Sequence, residues 1–211
     1  MAKNWLETAS QVIRNDAEAV LAALSGVDET FVAVAELLVQ CTGKVLVTGS
    51  GTSGSIATRA AHLLSVGGTP AFYLSPIDGL HGGLGVLKPE DIVLALSKGG
   101  SSAELNEFCT RAKSLCTCVI AITASPESEL ARLATHVIRQ TLPAQSELGG
   151  VLATGSSLAA GALTDALVEV CRVARGYSWD KLLYTHPAGA VGRDAEQSLR
   201  RLHGAASSEE D

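Results

Sequence analysis

Over residues 5–24 the apolar positions Leu6, Val12, Ile13, Ala17, Val20 and Leu21 recur mostly at helical spacing. Steps of about three and four predict an amphipathic helix with one buried stripe. A second helix is predicted over 29–39, and the two form an N-terminal helical hairpin. The period then changes. Short apolar runs follow at 44–48, 71–74, 92–96, 118–123 and 136–138. Helices are predicted at 55–64, from the 97–102 loop to about 115, and over 127–134. Strands that are apolar throughout and alternate with helices indicate a parallel sheet covered on both faces. Right-handed crossovers make it doubly wound. The fold class is therefore α/β, a five-stranded parallel sheet in the flavodoxin-like order 2-1-3-4-5. C-terminal helices complete it: a long Ala/Leu/Val helix over 151–175, expected to be buried, and a last one reaching about Leu202. Residues 1–203 read as a single domain, and the acidic tail 204–211 is expected to be disordered.

Composition removes several classes of function. The 211 residues suit one domain with a sizeable core, and a mean hydropathy of +0.25 excludes wholesale disorder. The formal charge of −6, with no basic run, argues against nucleic acid as the partner. No stretch reaches the ~18 uncharged apolar residues of a membrane span, and the charged N-terminus lacks a signal-peptide pattern. A cytoplasmic location is expected. Cys41, Cys109, Cys116, Cys118 and Cys171 show no disulfide-framework spacing and read as inert thiols.

The candidate chemistry sits after strands one and three. In an open parallel sheet, ligands bind beyond the carboxyl ends of the strands, where the strand order switches. Here that is between strands one and three, and both are followed by Gly/Ser-rich segments, Gly49-Ser-Gly-Thr-Ser-Gly54 and Ser97-Lys-Gly-Gly-Ser-Ser102. The first spells G-x-G-x-x-G, the dinucleotide fingerprint. That reading wants an acidic residue at the end of strand two, where Tyr73, Leu74 and Ser75 stand. It also leaves the second segment unexplained. Two such segments suit one phosphate held between two helix N-termini, whose N–H groups and dipoles favour an anion. Gly51, Thr52, Ser53, Ser97, Lys98, Gly100, Ser101 and Ser102 are the candidate binding residues. One of the serines is also expected to cap a helix.

Together with Ile77-Asp-Gly-Leu-His-Gly-Gly-Leu-Gly85 and Thr185-His-Pro-Ala-Gly-Ala-Val-Gly-Arg193, these segments resemble the sugar isomerase (SIS) domain of the arabinose-5-phosphate isomerases. The resemblance runs from about Val12 to Arg193 in the family's order. It implies an aldose–ketose sugar-phosphate isomerase, an intramolecular oxidoreductase, working on a pentose phosphate pair such as ribulose 5-phosphate and arabinose 5-phosphate. It implies no required metal or organic cofactor, and a tetramer whose active sites are completed across subunits. It places phosphate contacts on Ser53, Ser97, Lys98 and Ser102, and active-site histidines on His81 and His186. The chain looks like a single-domain form without the CBS pair that family members often carry. It departs from the pattern at Thr52, where the family commonly has Lys, and at Ser101 and Gln145, where it has Glu.

Isomerisation through an enediol needs groups that take and give a proton near neutral pH. His81 and His186 lie in Gly/Pro-containing segments that read as loops, where functional side chains concentrate. Glu104, opening the helix after the second loop, and Glu147, near Gly149-Gly150, are further acid/base candidates. Lys98 is expected to stand in for the lysine absent at Thr52. The alternative is a non-catalytic phosphosugar sensor. In either case a homo-oligomer is expected, because the helix over 151–175 is apolar on much of its circumference.

Overall fold

The computed structural model describes residues 2–116, 118–188, 194, 197, 199 and 200. The helix expected up to Leu202 falls largely outside them, and His203, the acidic tail and the segment from Gly189 to Arg193 fall wholly outside. Among the described residues the strands are β1 (Val45–Gly49), β2 (Ala71–Tyr73), β3 (Ile92–Leu96), β4 (Cys118–Thr123) and β5 (His136–Arg139). The helices are α1 (Ala2–Ala22), α2 (Glu29–Gln40), α3 (Gly51–Val66), α4 (Pro76–Leu80), α5 (Ala103–Ala112), α6 (Glu129–Leu133), α7 (Gly155–Ala174) and α8 (Trp179–Tyr184). All strand pairs are parallel, in the order β2-β1-β3-β4-β5 that the sequence predicts.

The central strands β1, β3 and β4 are buried along their whole length, which is why they read as unbroken apolar runs. Alternate residues feed two cores. Val45, Val47, Leu94 and Ile120 face α2, α3 and α7, against Leu38, Ala57, Leu64 and Leu163. Leu46, Val93, Val119 and Ala121 face α5 and α6, against Leu105, Phe108 and Leu130. The helix after β1 thus packs on one face and the helix after β3 on the other. The topological switch lies between these two strands.

The two N-terminal helices form, but each packs on α7 rather than mainly on the other, and α1 does not bury the expected stripe. Leu6, Ile13 and Leu21 are 79%, 70% and 65% exposed, and Ala17 is also exposed. The face turned inward carries Ala19, with Val12 and Val20 half-buried, and Ala23, in the turn just after the helix, is buried as well. Small residues win because α1 crosses close to the start of α7: a Cβ at Gly155 would stand 2.9 Å from that of Ala19. The long C-terminal helix begins later than expected. Val151 and Leu152 lie in an exposed turn, where Gly149 and Gly150 take φ of +62° and +71° and Leu148 bridges Leu152. Nor is α7 buried all round: Ala159, Leu163, Leu167 and Cys171 face the core, while Leu158, Val170 and Val173 are exposed.

At the amino end of the sheet, Asp91 is fully buried. Its carboxylate accepts from the Lys44 N–H at 2.9 Å, the Lys44 ammonium at 2.7 Å and the Lys88 N–H at 2.8 Å. All five cysteines are free thiols, and burial pushes Cys109 up to about 12 and Cys116 and Cys171 up to about 11. Such thiols are held in the unreactive protonated form. No helix among the described residues is long and apolar enough to cross a membrane.

Candidate active site

The first Gly/Ser segment is tighter than a loop. Ser50 is the N-cap and α3 begins at Gly51, so Thr52 and Ser53 already stand in the first helical turn. Gly51 takes φ +56°, a left-handed conformation that glycine adopts without steric cost. Gly54 is needed for packing: a Cβ there would lie 2.8 Å from the Gly49 carbonyl oxygen. The Gly54 N–H returns to the Ser50 carbonyl at 3.3 Å. The N–H groups ahead of it belong to the orphan donors of a helix start.

The second segment is held from behind. The Lys98 carbonyl accepts from the Thr123 hydroxyl and the Ala124 N–H, both at 3.0 Å. The Gly100 carbonyl accepts from the Leu130 N–H at 3.1 Å and from Asn106 Nδ2 at 3.3 Å. Asn106, itself buried, is tied to Glu129 Oε2 at 2.9 Å. In a trans peptide the N–H points opposite to the carbonyl. With the Lys98 and Gly100 carbonyls turned into the scaffold, the Gly99 and Ser101 N–H groups are directed away from it. Ser97 Oγ accepts from the Gly100 N–H at 3.1 Å and closes the turn. Gly100 takes φ +61°, and a Cβ there would collide with Ser128. Ser102 caps α5.

These two segments meet. Ser53, Ser97 and Lys98 line one narrow cavity at the carboxyl ends of the strands, with Gln140, Ser156 and Ser157 opposite. A second helix start therefore joins that of α3 at this cavity: Thr154 is the N-cap of α7. Glu104, in the first turn of α5, reaches back to the Ser50 hydroxyl. That bond and its own backbone N–H hold its carboxyl below the usual carboxylate range. A broader, more open depression at Leu80, Leu84, Glu107 and Arg111 lies away from the Gly/Ser segments. It offers none of their donors.

Glu147 is the one buried carboxylate among the described residues of this region, its side chain 6% exposed. Oε2 accepts from the Thr154 N–H at 2.8 Å, and Oε1 lies 3.0 Å from Lys98 Nζ. Burial pushes its carboxyl up, but the Ser156 hydroxyl, the Lys98 ammonium and the Thr154 N–H outweigh it and hold the group below its ordinary range. Lys98, expected to be available to phosphate, is already paired with an acid.

The histidines lie outside this cluster. The Gly/Pro-containing segment ahead of His81 is helical rather than a loop: Pro76–Leu80 forms α4, capped by Ser75, and His81 is the exposed C-cap before Gly82 at φ +107°. His186 follows α8. Its Nδ1 lies 3.1 Å from the Leu182 carbonyl. A carbonyl only accepts, so Nδ1 carries the proton in the neutral ring and Nε2 keeps its lone pair. Neither histidine lines the Ser53–Ser97 cavity. Sequence reasoning missed Ser50, Gln140 and Ser156. The buried Gln140 donates to the Ser156 carbonyl. A signal was present: Thr154-Gly-Ser-Ser157 repeats the composition of the first two segments.

The SIS domain matches residues 37–170 of this chain. The arabinose 5-phosphate isomerase KdsD of Pseudomonas aeruginosa is 33% identical over 190 residues, which cover 90% of this chain and 58% of the relative. The chain thus spans little more than half the length of the curated relatives it matches. A solved structure of a candidate sugar-phosphate isomerase from Listeria monocytogenes has a TM-score of 0.84 at 30% identity, covering 88% of this chain and 98% of that one. The c3406 protein of E. coli CFT073, solved with a sugar phosphate bound, has a TM-score of 0.83 over the same shares of the two chains. Its identity is 24%, and that likeness concerns the fold alone.

Proposed function

We propose, because this chain belongs to the SIS domain family, that it is a sugar-phosphate aldose–ketose isomerase whose substrate pair is ribulose 5-phosphate and arabinose 5-phosphate. One observation carries the reading: the segment after β3 and the starts of α3 and α7 converge on a cavity lined by Ser53, Ser97, Lys98 and Ser156. N–H groups at two helix starts, serine hydroxyls and a cation suit a phosphate ester. The names of the relatives support the reaction type and the pentose. In this reading the phosphate sits against Gly51, Thr52 and Ser53 and the 97–102 segment. That leaves the sugar carbons to reach acid/base groups from outside this cluster, for which His81 and His186 are the candidates.

Phosphate recognition gives a direct test. Calorimetric titration is expected to show arabinose 5-phosphate binding and free arabinose binding far more weakly. Ser53→Ala and Ser97→Ala should each weaken the phosphosugar by about ten- to a hundredfold, the scale of a hydrogen bond to a charged group. Equal affinity for the sugar and its phosphate would remove the assignment.

The reading includes a homo-oligomer, a tetramer. Trp5, Leu6, Ile13, Leu21 and Leu24 on and just after α1, with Val173 on α7, leave more large apolar side chains in water than a monomer usually carries. His186 at the end of α8 then serves a neighbouring subunit's cavity. Light scattering at micromolar concentration should give a multiple of the 21.7 kDa chain mass. A monomer there contradicts both statements.

A further inference from the structure

The charged pair at the rim of the cavity has a built geometry of its own. Glu147 is buried and Lys98 is not: their side chains are 6% and 45% exposed. The carboxylate sits at the start of α7, a helix of 20 residues, where it takes the Thr154 N–H and the Ser156 hydroxyl. Those two donors and the helix dipole fix it in place. Lys98 extends from the 97–102 segment to within 3.0 Å of Oε1, a contact that falls short of a well-aligned hydrogen bond. An ammonium has three donors. This one therefore has donors left over for a second anion.

We infer that Glu147 is the positioning residue for Lys98, holding its ammonium beside Ser53 and Ser97 so that an incoming phosphate ester meets a cation already in place. This rests on the isomerase reading above, and it reassigns Glu147 from the proton-transfer role its sequence suggests. Two arguments favour positioning. A carboxyl whose anion is held by three donors sits below its ordinary range. It is poorly suited to return a proton, which an isomerase acid/base must do in each direction. Lysine also loses much rotamer freedom when it binds an anion. A partner that restricts it beforehand lowers that cost in the complex. The ion pair carries no net charge, but Lys98 lines the cavity and Glu147 does not, so an incoming phosphate meets the ammonium first.

The test is a double-mutant cycle with arabinose 5-phosphate, measuring kcat and KM for wild type, Glu147→Gln, Lys98→Met and the pair. Glu147→Gln is expected to raise KM about tenfold, the scale of one charge-assisted contact, with kcat within about threefold of wild type. Lys98→Met should do the same, and the double variant should be no worse than either single one. A purely structural role for Glu147 would not produce that coupling to Lys98. Ser156→Ala keeps the charge and removes one anchor, so it should move KM in the same direction by a few fold. It serves in place of Glu147→Gln should that variant not fold. A kcat loss of about 10²-fold or more with KM unchanged would make Glu147 a proton-transfer group and overturn the assignment. So would independent, multiplicative effects of the two substitutions. Wild type that neither binds nor converts arabinose 5-phosphate overturns the functional reading itself. Wild type that does both, without the coupling, overturns only the role of Glu147.

Discussion

Replacing His81 or His186 with Asn is expected to lower arabinose 5-phosphate turnover by about 10²–10⁴-fold, the usual scale of general acid–base catalysis, and to leave phosphosugar affinity little changed. Aldose–ketose exchange moves a proton between adjacent carbons, so a group must take it from one and a group must give it to the other. The carboxylates near the cavity are unsuited to giving. Glu104 and Glu147 are both held as anions by hydrogen bonds. Imidazole does both tasks near neutral pH. His186 is oriented for it, with Nδ1 on the Leu182 carbonyl and Nε2 left to accept. His81 stands exposed at the end of α4 beside the left-handed Gly82. Affinity should survive because the phosphate donors proposed above lie on α3 and the 97–102 segment. Turnover and calorimetric affinity on the same two variants decide the matter. Full turnover in both removes the proton-transfer assignment, and a parallel loss of binding places the histidines in ligand recognition.

The second large effect concerns stability. Asp91→Ala is expected to cost about 3 kcal/mol, the lower end for breaking a buried ion pair, because Lys44 keeps partial access to water. Burial alone pushes the Asp91 carboxyl up, but the Lys44 ammonium and the Lys44 and Lys88 N–H groups hold it below its ordinary value of 3.8. A depressed folded value means that the native state favours the anion. Its contribution is complete above the unfolded pKa and is lost as pH falls through the folded one. The difference between wild type and variant, read by denaturant unfolding, should therefore be full at about pH 7 and shrink below about pH 4. A difference under about 1 kcal/mol, or one that does not change with pH, would show that the pair contributes little.

The sheet was legible because its central strands are buried on both faces and carry only Thr48 and Thr123 as polar residues, both near a strand end. Ile92–Leu96 and Cys118–Thr123 appear in the fold with the bounds the apolar pattern marks. The inward face of α1 was not legible. Ala19, and Ala23 just after the helix, carry little hydrophobic signal, yet close packing on α7 selects them over Leu6, Ile13 and Leu21. The starts of α3 and α4 were hidden for a related reason. Glycine, serine and proline read as loop, although at a helix start they supply the cap and the first turn. Of the candidate site, Ser53, Ser97 and Lys98 could be found because both segments follow strands that flank the switch. Gln140 could not, and Ser156 had only the composition of Thr154-Gly-Ser-Ser157 to mark it. Their place at the cavity depends on α7 returning across the sheet to pack on α3, a tertiary event.

The central claim, that this chain interconverts an aldose and a ketose phosphate through an enediol, is tested most directly in D2O. Purified protein without added metal is incubated with arabinose 5-phosphate and followed by NMR. Ribulose 5-phosphate is expected to accumulate to equilibrium, and deuterium to enter C2 of the recovered arabinose 5-phosphate, because the proton lifted from that carbon exchanges with solvent before it returns. Arabinose 5-phosphate that binds but is neither converted nor labelled contradicts the claim and leaves a phosphosugar sensor in its place.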